Sequence, residues 1–359
     1  MMTWAFAAAL ALAPVAPAPV SPPVTPPPSP EQVLAIPAEL RAKFHQQVID
    51  QSRSPTRRLN LLVDFLFDDD GLAMEYEHDA THTVEQAYRT RKANCLTFTL
   101  LAIALAREAG LEAYGQDIED TLVWRQEQST IYRTTHVNAG IQIKRQRYSV
   151  DVAWDSVIAR HPPEPIPDQR LLAHFYNNRV AELMAQDQLE TAVAYAAISL
   201  QLDPAYATSW SNAGVLHMRA GRQTTAERYY KHALDLDAKH AGALFNMVGF
   251  YRRTGDHKNA DEYQQRLEKA RLRDPFHQFL LASDYERHGD YARAAEHYRR
   301  AIALHDAEHR FYFGLARAYL QLGQARRAGH ALVRAHALSN GTTQALYQAK
   351  LDNLRQHSK

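Results

Sequence analysis

Apolar residues recur at helical spacing over residues 96–106, and Gly110 ends the pattern. The only cysteine of the chain, Cys95, stands at the start of this predicted helix. Unpaired backbone N–H groups in the first turn of a helix favour a thiolate over a thiol. The pattern therefore predicts a nucleophilic sulfur, although a single cysteine in an apolar run is also typical of an ordinary core residue.

Two stretches before the cysteine, residues 39–51 and 55–67, carry the same helical spacing and predict two helices. A further short helix is predicted to begin at Thr83. Its hydroxyl would cap the helix, with Gln86 as the reciprocal partner.

Alternation replaces the helical period after a predicted loop at residues 116–130. Apolar residues occupy every second position from 137 to 143, which predicts a strand with His136 and Asn138 on its polar side. A charged turn at 144–147 leads into a second strand that carries Asp151. Cysteine chemistry uses both groups of such a hairpin, an imidazole as the base and a carboxylate that orients it.

The register of this hairpin decides which carboxylate meets the imidazole. A two-residue turn at Arg145 and Gln146 would set Asp155 directly across from His136. A longer or bulged loop would bring Asp151 closer, and the pattern alone leaves both possibilities open.

A 34-residue period fills the C-terminal half of the chain, with small residues and alanines recurring at fixed places. Such a period predicts stacked helical hairpins, here five hairpins over residues 172–342, followed by a capping helix and tail at 343–359. The repeat frames begin at Ala173, Ala207, Ala241, Pro275 and His309, and the turn between the two helices falls at Gly221, Gly255, Gly289 and Gly323.

Aromatic and basic residues recur along the first helices of these hairpins, which line the concave face of such arrays. They predict a groove for an extended peptide or an acidic tail. The alternative is that the phenylalanines pack between repeats. The groove residues are Phe245, Phe279, Phe313, Arg252, Arg287 and Arg317.

The N-terminus has the pattern of an exported protein. Residues 1–18 are predicted to be a signal peptide, because a short hydrophobic segment ends in small residues, although no basic residue precedes it. A proline-rich linker is predicted at 19–35 and a second linker at 161–171. We therefore expect a periplasmic or secreted protein with no membrane span after signal cleavage.

The composition narrows the classes of partner. Forty-one basic against 40 acidic side chains, a net charge of +1, give no field that attracts nucleic acid. One cysteine excludes an internal disulfide and a zinc–thiolate cluster. The sequence thus predicts neither a metal nor another cofactor.

Three stretches resemble the signature blocks of the transglutaminase-like superfamily, in its bacterial branch with papain-like cysteine-peptidase relatives. They are NCLTFTLLAIALAREAGLEAYG around Cys95, THVNAGIQI around His136 and DVAW at Asp151. The resemblance implies an α+β domain over residues 36–160, and it favours Asp151 over Asp155 as the third member of the site. It also implies an oxyanion site made by the Cys95 backbone N–H and an upstream side chain, for which Gln86 is a candidate beside its capping role.

The chain departs from that superfamily at two places. Ala93 and Asn94 stand where a Gly-Asp pair is more usual, and no aromatic residue follows His136 closely. These differences leave the substrate class open. The C-terminal array resembles tetratricopeptide repeats, with its best frame around Trp210 and Tyr230.

The sequence as a whole predicts an α+β transglutaminase-like domain followed by an all-α tetratricopeptide solenoid. The predicted function is an exported cysteine-dependent amide hydrolase or acyltransferase, with peptidase activity favoured, whose array recognises a protein or peptide. The alternatives are a non-catalytic adaptor with an inactive N-terminal domain and a cell-wall amide hydrolase.

Overall fold

The computed structural model describes residues 26–78, 80–118, 121–124, 131–133, 136–152, 157–159 and 162–357. The predicted signal peptide lies outside the described residues, so export stays a prediction. Asp155 also lies outside them.

The N-terminal part begins with five short to medium helices. They are α1 (Pro30–Leu34), α2 (Ala38–Phe44), α3 (Pro55–Phe67), α4 (Val84–Thr90) and α5 (Cys95–Glu108). The chain continues from α2 as a π-helix over His45–Ile49. The helices predicted at 39–51, at 55–67 and after Cys95 are therefore all present.

Within the described residues, nine strands form three small sheets. The strands are β1 (Glu75–Tyr76), β2 (Lys92–Ala93), β3 (Glu112–Ile118), β4 (Thr121–Trp124), β5 (Ile131–Arg133), β6 (His136–Ile143), β7 (Gln146–Val150), β8 (Val157–Ala159) and β9 (Glu164–Ile166). The largest sheet has the order β7-β6-β3-β9, and all its pairs are antiparallel. Strands β5-β4-β8 form a second sheet, and β1 pairs with β2 in parallel.

Strand β3 was not expected, because residues 116–118 belong to the segment that the sequence pattern predicts to be a loop. Gln116 and Asp117 are polar, yet both are buried between β6 and β9. Asp117 Oδ2 lies 3.5 Å from His174 Nε2, and Gln116 Oε1 accepts from the Ser149 hydroxyl at 2.9 Å, so each face of the strand buries a polar side chain beside a polar partner. The first part of the predicted loop is therefore a central strand.

The C-terminal part consists of helices only, arranged as five hairpins and a final helix. The helices are α6 (Asp168–Ala185), α7 (Leu189–Leu202), α8 (Ala207–Arg219), α9 (Gln223–Leu236), α10 (Ala241–Thr254), α11 (His257–Leu272), α12 (Pro275–Arg287), α13 (Tyr291–Leu304), α14 (His309–Gln321), α15 (Ala325–Leu338) and α16 (Gly341–His357). The predicted helical solenoid is confirmed, and α16 follows the fifth hairpin as the expected cap.

The turn inside each hairpin needs a left-handed residue. The four predicted glycines supply it, with φ between 70° and 79°. In the first hairpin Asp187 takes the same place with φ 59°. Aspartate tolerates this conformation better than most residues, which explains how the repeat continues without a glycine.

The two predicted linkers are shorter than the sequence implies. Residues 30–34 form α1 with a Ser29–Gln32 capping box, and Val33 is fully buried in the core. In the second linker β9 pairs with β3, and α6 already begins at Asp168. Proline is compatible with an edge strand and with the first turn of a helix, so these prolines do not prevent folding.

One hydrophobic core joins the N-terminal part to the beginning of the array. Buried side chains of α5 and β6 belong to the same cluster as Tyr176 on α6 and Leu216 on α8. The Tyr176 hydroxyl also donates to the Pro28 carbonyl oxygen at 2.6 Å. Arg107 on α5 forms a bidentate ion pair with Asp168 at the start of α6.

Among the described residues, no helix combines the length and the apolar character needed to cross a bilayer.

Two glycines of the array offer a matched test of its packing. A Cβ atom on Gly214 would lie 2.5 Å from the ring of Tyr230, which is fully buried, whereas one on Gly249 would meet nothing within 4 Å. We expect Gly214→Ala to lower the free energy of unfolding by about 1–3 kcal/mol through overpacking. Gly249→Ala should raise it by about 0.5–1 kcal/mol, because alanine is the better helix former.

Urea unfolding followed by circular dichroism measures both effects. Equal midpoints for the two variants would contradict the close approach of α8 and α9 at Gly214.

Candidate active site

Cys95 is the first residue of α5, and its side chain is half-buried. Asn94 caps the helix, because its Oδ1 accepts from the Thr97 backbone N–H at 2.9 Å. The Asn94 amide nitrogen donates to Thr81 Oγ1 at 2.9 Å, and the Thr97 hydroxyl donates to the Ala80 carbonyl at 2.7 Å. The turn that carries the sulfur is thus anchored to the preceding loop. Asparagine before an apolar helical run is a known cap signal, so the sequence contained this information.

Thr99 links the cysteine to the strand that carries the imidazole. Its hydroxyl oxygen lies 2.7 Å from the Cys95 carbonyl oxygen and 3.1 Å from the Val137 carbonyl oxygen. Val137 directly follows His136 in β6. This buried hydroxyl therefore links the first turn of α5 to strand β6.

His136 is the first residue of β6 and is only 1% exposed. Its Nε2 lies 2.7 Å from Asp151 Oδ2. The Cys95 side chain is close enough to the same ring to help raise the pKa of His136, and Nδ1 is the ring nitrogen that does not contact Asp151. The structure thus brings these three predicted residues together as sulfur, imidazole and carboxylate.

The hairpin register explains why Asp151 reaches the ring. The turn is centred on Lys144 and Arg145, one residue earlier than the two-residue turn considered from the sequence, and Ala139 pairs with Val150. Continuing this register sets Asp151 opposite Asn138, diagonal to His136 on the same strand face. A diagonal neighbour is within reach of a long side chain, so neither a bulge nor a longer loop is needed.

The surroundings of His136 favour its protonated form. Burial by itself lowers the pKa of an imidazole, but hydrogen bonds to Asp151 and Cys95, together with electrostatic attraction to both, outweigh it. They raise the pKa of His136 to about 10. At neutral pH the ring is therefore a cation between two acidic groups.

Asn138 belongs to the site, although the sequence pattern revealed no role for it. Its Nδ2 donates to Asp151 Oδ2 at 3.2 Å, the same oxygen that contacts His136. Asn138 is 3% exposed, and its Oδ1 has no hydrogen-bond partner among the described residues. In this orientation the amide nitrogen donates to the carboxyl oxygen, whereas a reversed amide would bring two oxygen atoms together. Its position two residues after His136 on one strand face was the available signal.

Gln86 serves as a capping residue at the start of α4. Its Oε1 accepts from the Thr83 backbone N–H at 3.0 Å, and its own N–H donates to Thr83 Oγ1 at 3.2 Å. The side chain is exposed at the start of α4. The capping box uses the amide oxygen, which supports the second of the two roles considered for this residue.

The three phenylalanines of the predicted groove do not form one exposed row. Phe245 is 61% exposed, but Phe279 is 4% exposed because the ring of Phe311 in the next hairpin lies 5.1 Å from its own. Phe313 is partly buried and stacks on Tyr347 of α16 at 4.8 Å. Equal positions in successive repeats thus have unequal neighbours, and the predicted ladder is interrupted in its middle.

The predicted groove arginines differ in the same way. Arg317 forms an ion pair with Glu286 at 2.8 Å, and Arg287 forms one with Asp284 at 2.8 Å. Arg252 is exposed. Two of the three guanidinium groups therefore already have carboxylate partners within the array.

Within the described part of the chain, no three His, Cys, Asp or Glu side chains converge in a way that could hold a metal ion.

The raised pKa of His136 predicts a pH-dependent stability. The unfolded-state pKa is near the ordinary value of 6.5, and the folded-state pKa is about 10. The folded state therefore binds one more proton between these values, and its stability falls as the pH rises through that window. The contribution is fully present below about pH 6.5 and is lost towards pH 10.

His136→Gln removes this titration and serves as the reference. We expect the difference in urea midpoint between the native protein and this variant to shrink steadily between pH 6.5 and pH 10. A difference that stays constant across that range would show that the ring does not gain a proton on folding.

The comparisons with known proteins concern the array. Residues 207–240 match the tetratricopeptide repeat family. No curated protein matches the chain. The resemblance of the N-terminal part to the transglutaminase-like superfamily therefore stays a prediction.

Several solved repeat proteins are similar to about half of the chain. YrrB, described as a tetratricopeptide protein with an unusual peptide-binding site, is 20% identical over 50% of this chain and 92% of its own, with a TM-score of 0.26. PilF of Pseudomonas aeruginosa is 15% identical over 52% and 94%, with a TM-score of 0.29. A thermophilic tetratricopeptide protein of Thermus thermophilus is 16% identical over 50% and 98%, with a TM-score of 0.27. Similarities this low carry no argument about function.

Proposed function

We propose that this protein is a cysteine-dependent amide hydrolase or acyltransferase, in which the helical array recognises a protein or peptide. The observation that carries the proposal is that His136, which is hydrogen-bonded to Asp151, lies beside Cys95 at the first turn of α5. Chance rarely assembles a sulfur, a buried imidazole and a carboxylate in this order, since burying such groups is costly unless they are paired.

The proposed reaction proceeds in two steps. The Cys95 sulfur attacks the amide carbonyl carbon as a thiolate beside the protonated His136 ring, and it forms a thioester with release of the amine. His136 gives its Nδ1 proton to that leaving amine. In the second step the ring takes a proton from water, which attacks the thioester and restores the sulfur. Asp151 holds the ring through Nε2 during both steps.

The oxyanion formed in each step needs hydrogen-bond donors. The first N–H groups of a helix have no carbonyl one turn earlier to bind. In α5 the Asn94 side chain satisfies the Thr97 N–H, and the Cys95 N–H precedes it. We assign the Cys95 N–H as one oxyanion donor, which leaves the second donor unassigned now that Gln86 serves as a cap.

Hydrolysis is favoured over cross-linking. Water is always available as the acceptor of the acyl group, and no described residue near Cys95 marks a site for a second amine. The array supports a protein or peptide as the substrate, because repeat solenoids present extended surfaces to such partners.

Replacing the sulfur tests the chemistry. Cys95→Ala should abolish hydrolysis of a fluorescently labelled protein such as casein, with a loss of about 10³-fold or more, while the urea midpoint stays near that of the native protein. His136→Ala should cause a loss of similar size, because the residues act as a unit. An unchanged rate in Cys95→Ala would rule out the mechanism.

A non-catalytic adaptor is the second candidate, favoured by the family match, which covers only residues 207–240, within the array. Thiol reactivity separates the two functions. If the proposed chemistry holds, iodoacetamide should alkylate Cys95 at pH 7 about tenfold faster than free cysteine, and His136→Ala should remove the advantage. A native rate equal to that of free cysteine would favour the adaptor.

A further inference from the structure

Charge is distributed unevenly along the chain. Residues 291–359 contain 11 Lys and Arg against four Asp and Glu, a formal net charge of +7. The remaining residues contain 30 Lys and Arg against 36 Asp and Glu. The near-neutral total therefore conceals a basic end of the solenoid, which attracts acidic partners at short range.

A cleft of about 560 Å³ opens in this basic end, between α14, α15 and α16. Its volume lies within the range of about 300–1,000 Å³ that is usual for ligand sites. Two of its lining residues are cationic and none is acidic. The residues that line the cleft are Phe313, Ala316, Arg317, Leu320, Ala328, Leu332, Ala349, Lys350, Asn353 and Leu354.

The way in which α16 is anchored explains the cleft. Tyr347 and Leu351 are buried against the last hairpin. The Tyr347 ring stacks on Phe313, and its hydroxyl oxygen lies 3.0 Å from His309 Nδ1. The helix is held along this one row of side chains. The next row, which begins with Ala349, faces a gap that small side chains leave open.

The cleft combines an apolar interior with an available positive charge. Leu320 is 44% exposed at its edge, although it is a large apolar residue. Lys350 lies 5.7 Å from the centroid of the Phe313 ring and forms no ion pair among the described residues. Arg317, by contrast, is paired with Glu286. Lys350 is thus the cation of the cleft that remains for a carboxylate from outside.

We propose that this cleft binds a peptide segment of a partner protein in which a bulky apolar side chain is flanked by Asp or Glu. The apolar side chain enters between the three helices, and a neighbouring carboxylate pairs with Lys350. Several carboxylates along a chain suit this site better than the single one of a fatty acid, because residues 291–359 around the cleft carry a formal net charge of +7.

This proposal names the partner of the recognition role given above to the array, and it does not depend on the chemistry at Cys95. The Cys95→Ala variant should therefore bind the peptide with unchanged affinity. Loss of hydrolysis and loss of peptide binding are separate outcomes.

The test uses a randomised dodecapeptide display library, selected on the full-length protein. Ala349→Leu fills the cleft from the exposed side of α16, and Ala345→Leu makes the same change one turn earlier on that helix, at a residue that does not line the cleft. Lys350→Glu reverses the charge inside the cleft, and Arg326→Glu reverses one outside it. Fluorescence anisotropy then measures the affinity of the selected peptides.

We expect the selected peptides to contain Asp or Glu beside Leu, Ile, Phe or Met. Their dissociation constants should rise about tenfold or more in Ala349→Leu and Lys350→Glu, and stay within about twofold in Ala345→Leu. Arg326→Glu should have a smaller effect than Lys350→Glu, since Arg326 does not line the cleft and a distant charge mainly steers association.

Three results would overturn the proposal. Peptides that bind Ala349→Leu as tightly as the native protein would place recognition elsewhere on the array. Selected peptides without acidic residues, unaffected by Lys350→Glu, would remove the charge from the argument. Retention of no peptide, with or without uptake of a fluorescent fatty acid, would reject both the peptide site and the recognition role.

Discussion

The burial of α5 is the constraint on which the rest of the structure depends. Every residue from Leu96 to Ala106 on this helix is buried. The four-stranded sheet and the first helix of the array both contact it, so its burial completes the interiors of two parts of the chain at once. Since apolar burial is the dominant stabilising contribution to folding, the position of this helix is strongly determined. Cys95 at its first turn shares that precision.

Polar contacts at the N-terminal end of α5 fix the position of this helix more precisely than apolar packing alone. Asn94 and Thr97 bind the preceding loop, and Thr99 binds the carbonyl oxygen of Val137. Each of these side chains is buried, and each uses its hydrogen-bonding groups. A site for acyl transfer requires such support, because small displacements of the nucleophile reduce the rate strongly. The hydrogen-bonded surroundings of Cys95 are therefore in keeping with the proposed chemistry.

Much of the fold could be predicted because its signals are local. The helical hairpins repeat one pattern, and β6 alternates clearly. Strand β3 could not be recognised, because its polar residues Gln116 and Asp117 are buried by neighbours that are distant in sequence. The exact hairpin turn was also hidden, because it uses a left-handed Lys144 where glycine or asparagine would be the usual signal.

The candidate site also combines features that local sequence signals predict with contacts that they do not reveal. The sequence identified Cys95, His136 and Asp151 as a group, but their convergence follows from a diagonal contact that only the register reveals. Asn138 was overlooked, because a polar residue on a strand is commonly exposed. Phe279 was misjudged, because a repeat position does not state which neighbour covers it, and here Phe311 does.

The hydrophobic core that the two parts share restricts how this protein can evolve. The carbonyl oxygen of Pro28, before α1, accepts a hydrogen bond from Tyr176 on α6, and β9 leads directly into that helix. A fragment that started at Asp168 would expose the apolar face of α6 to solvent. The array therefore cannot be swapped for a foreign module without rebuilding the interior beneath Cys95, and the two halves are expected to be inherited together.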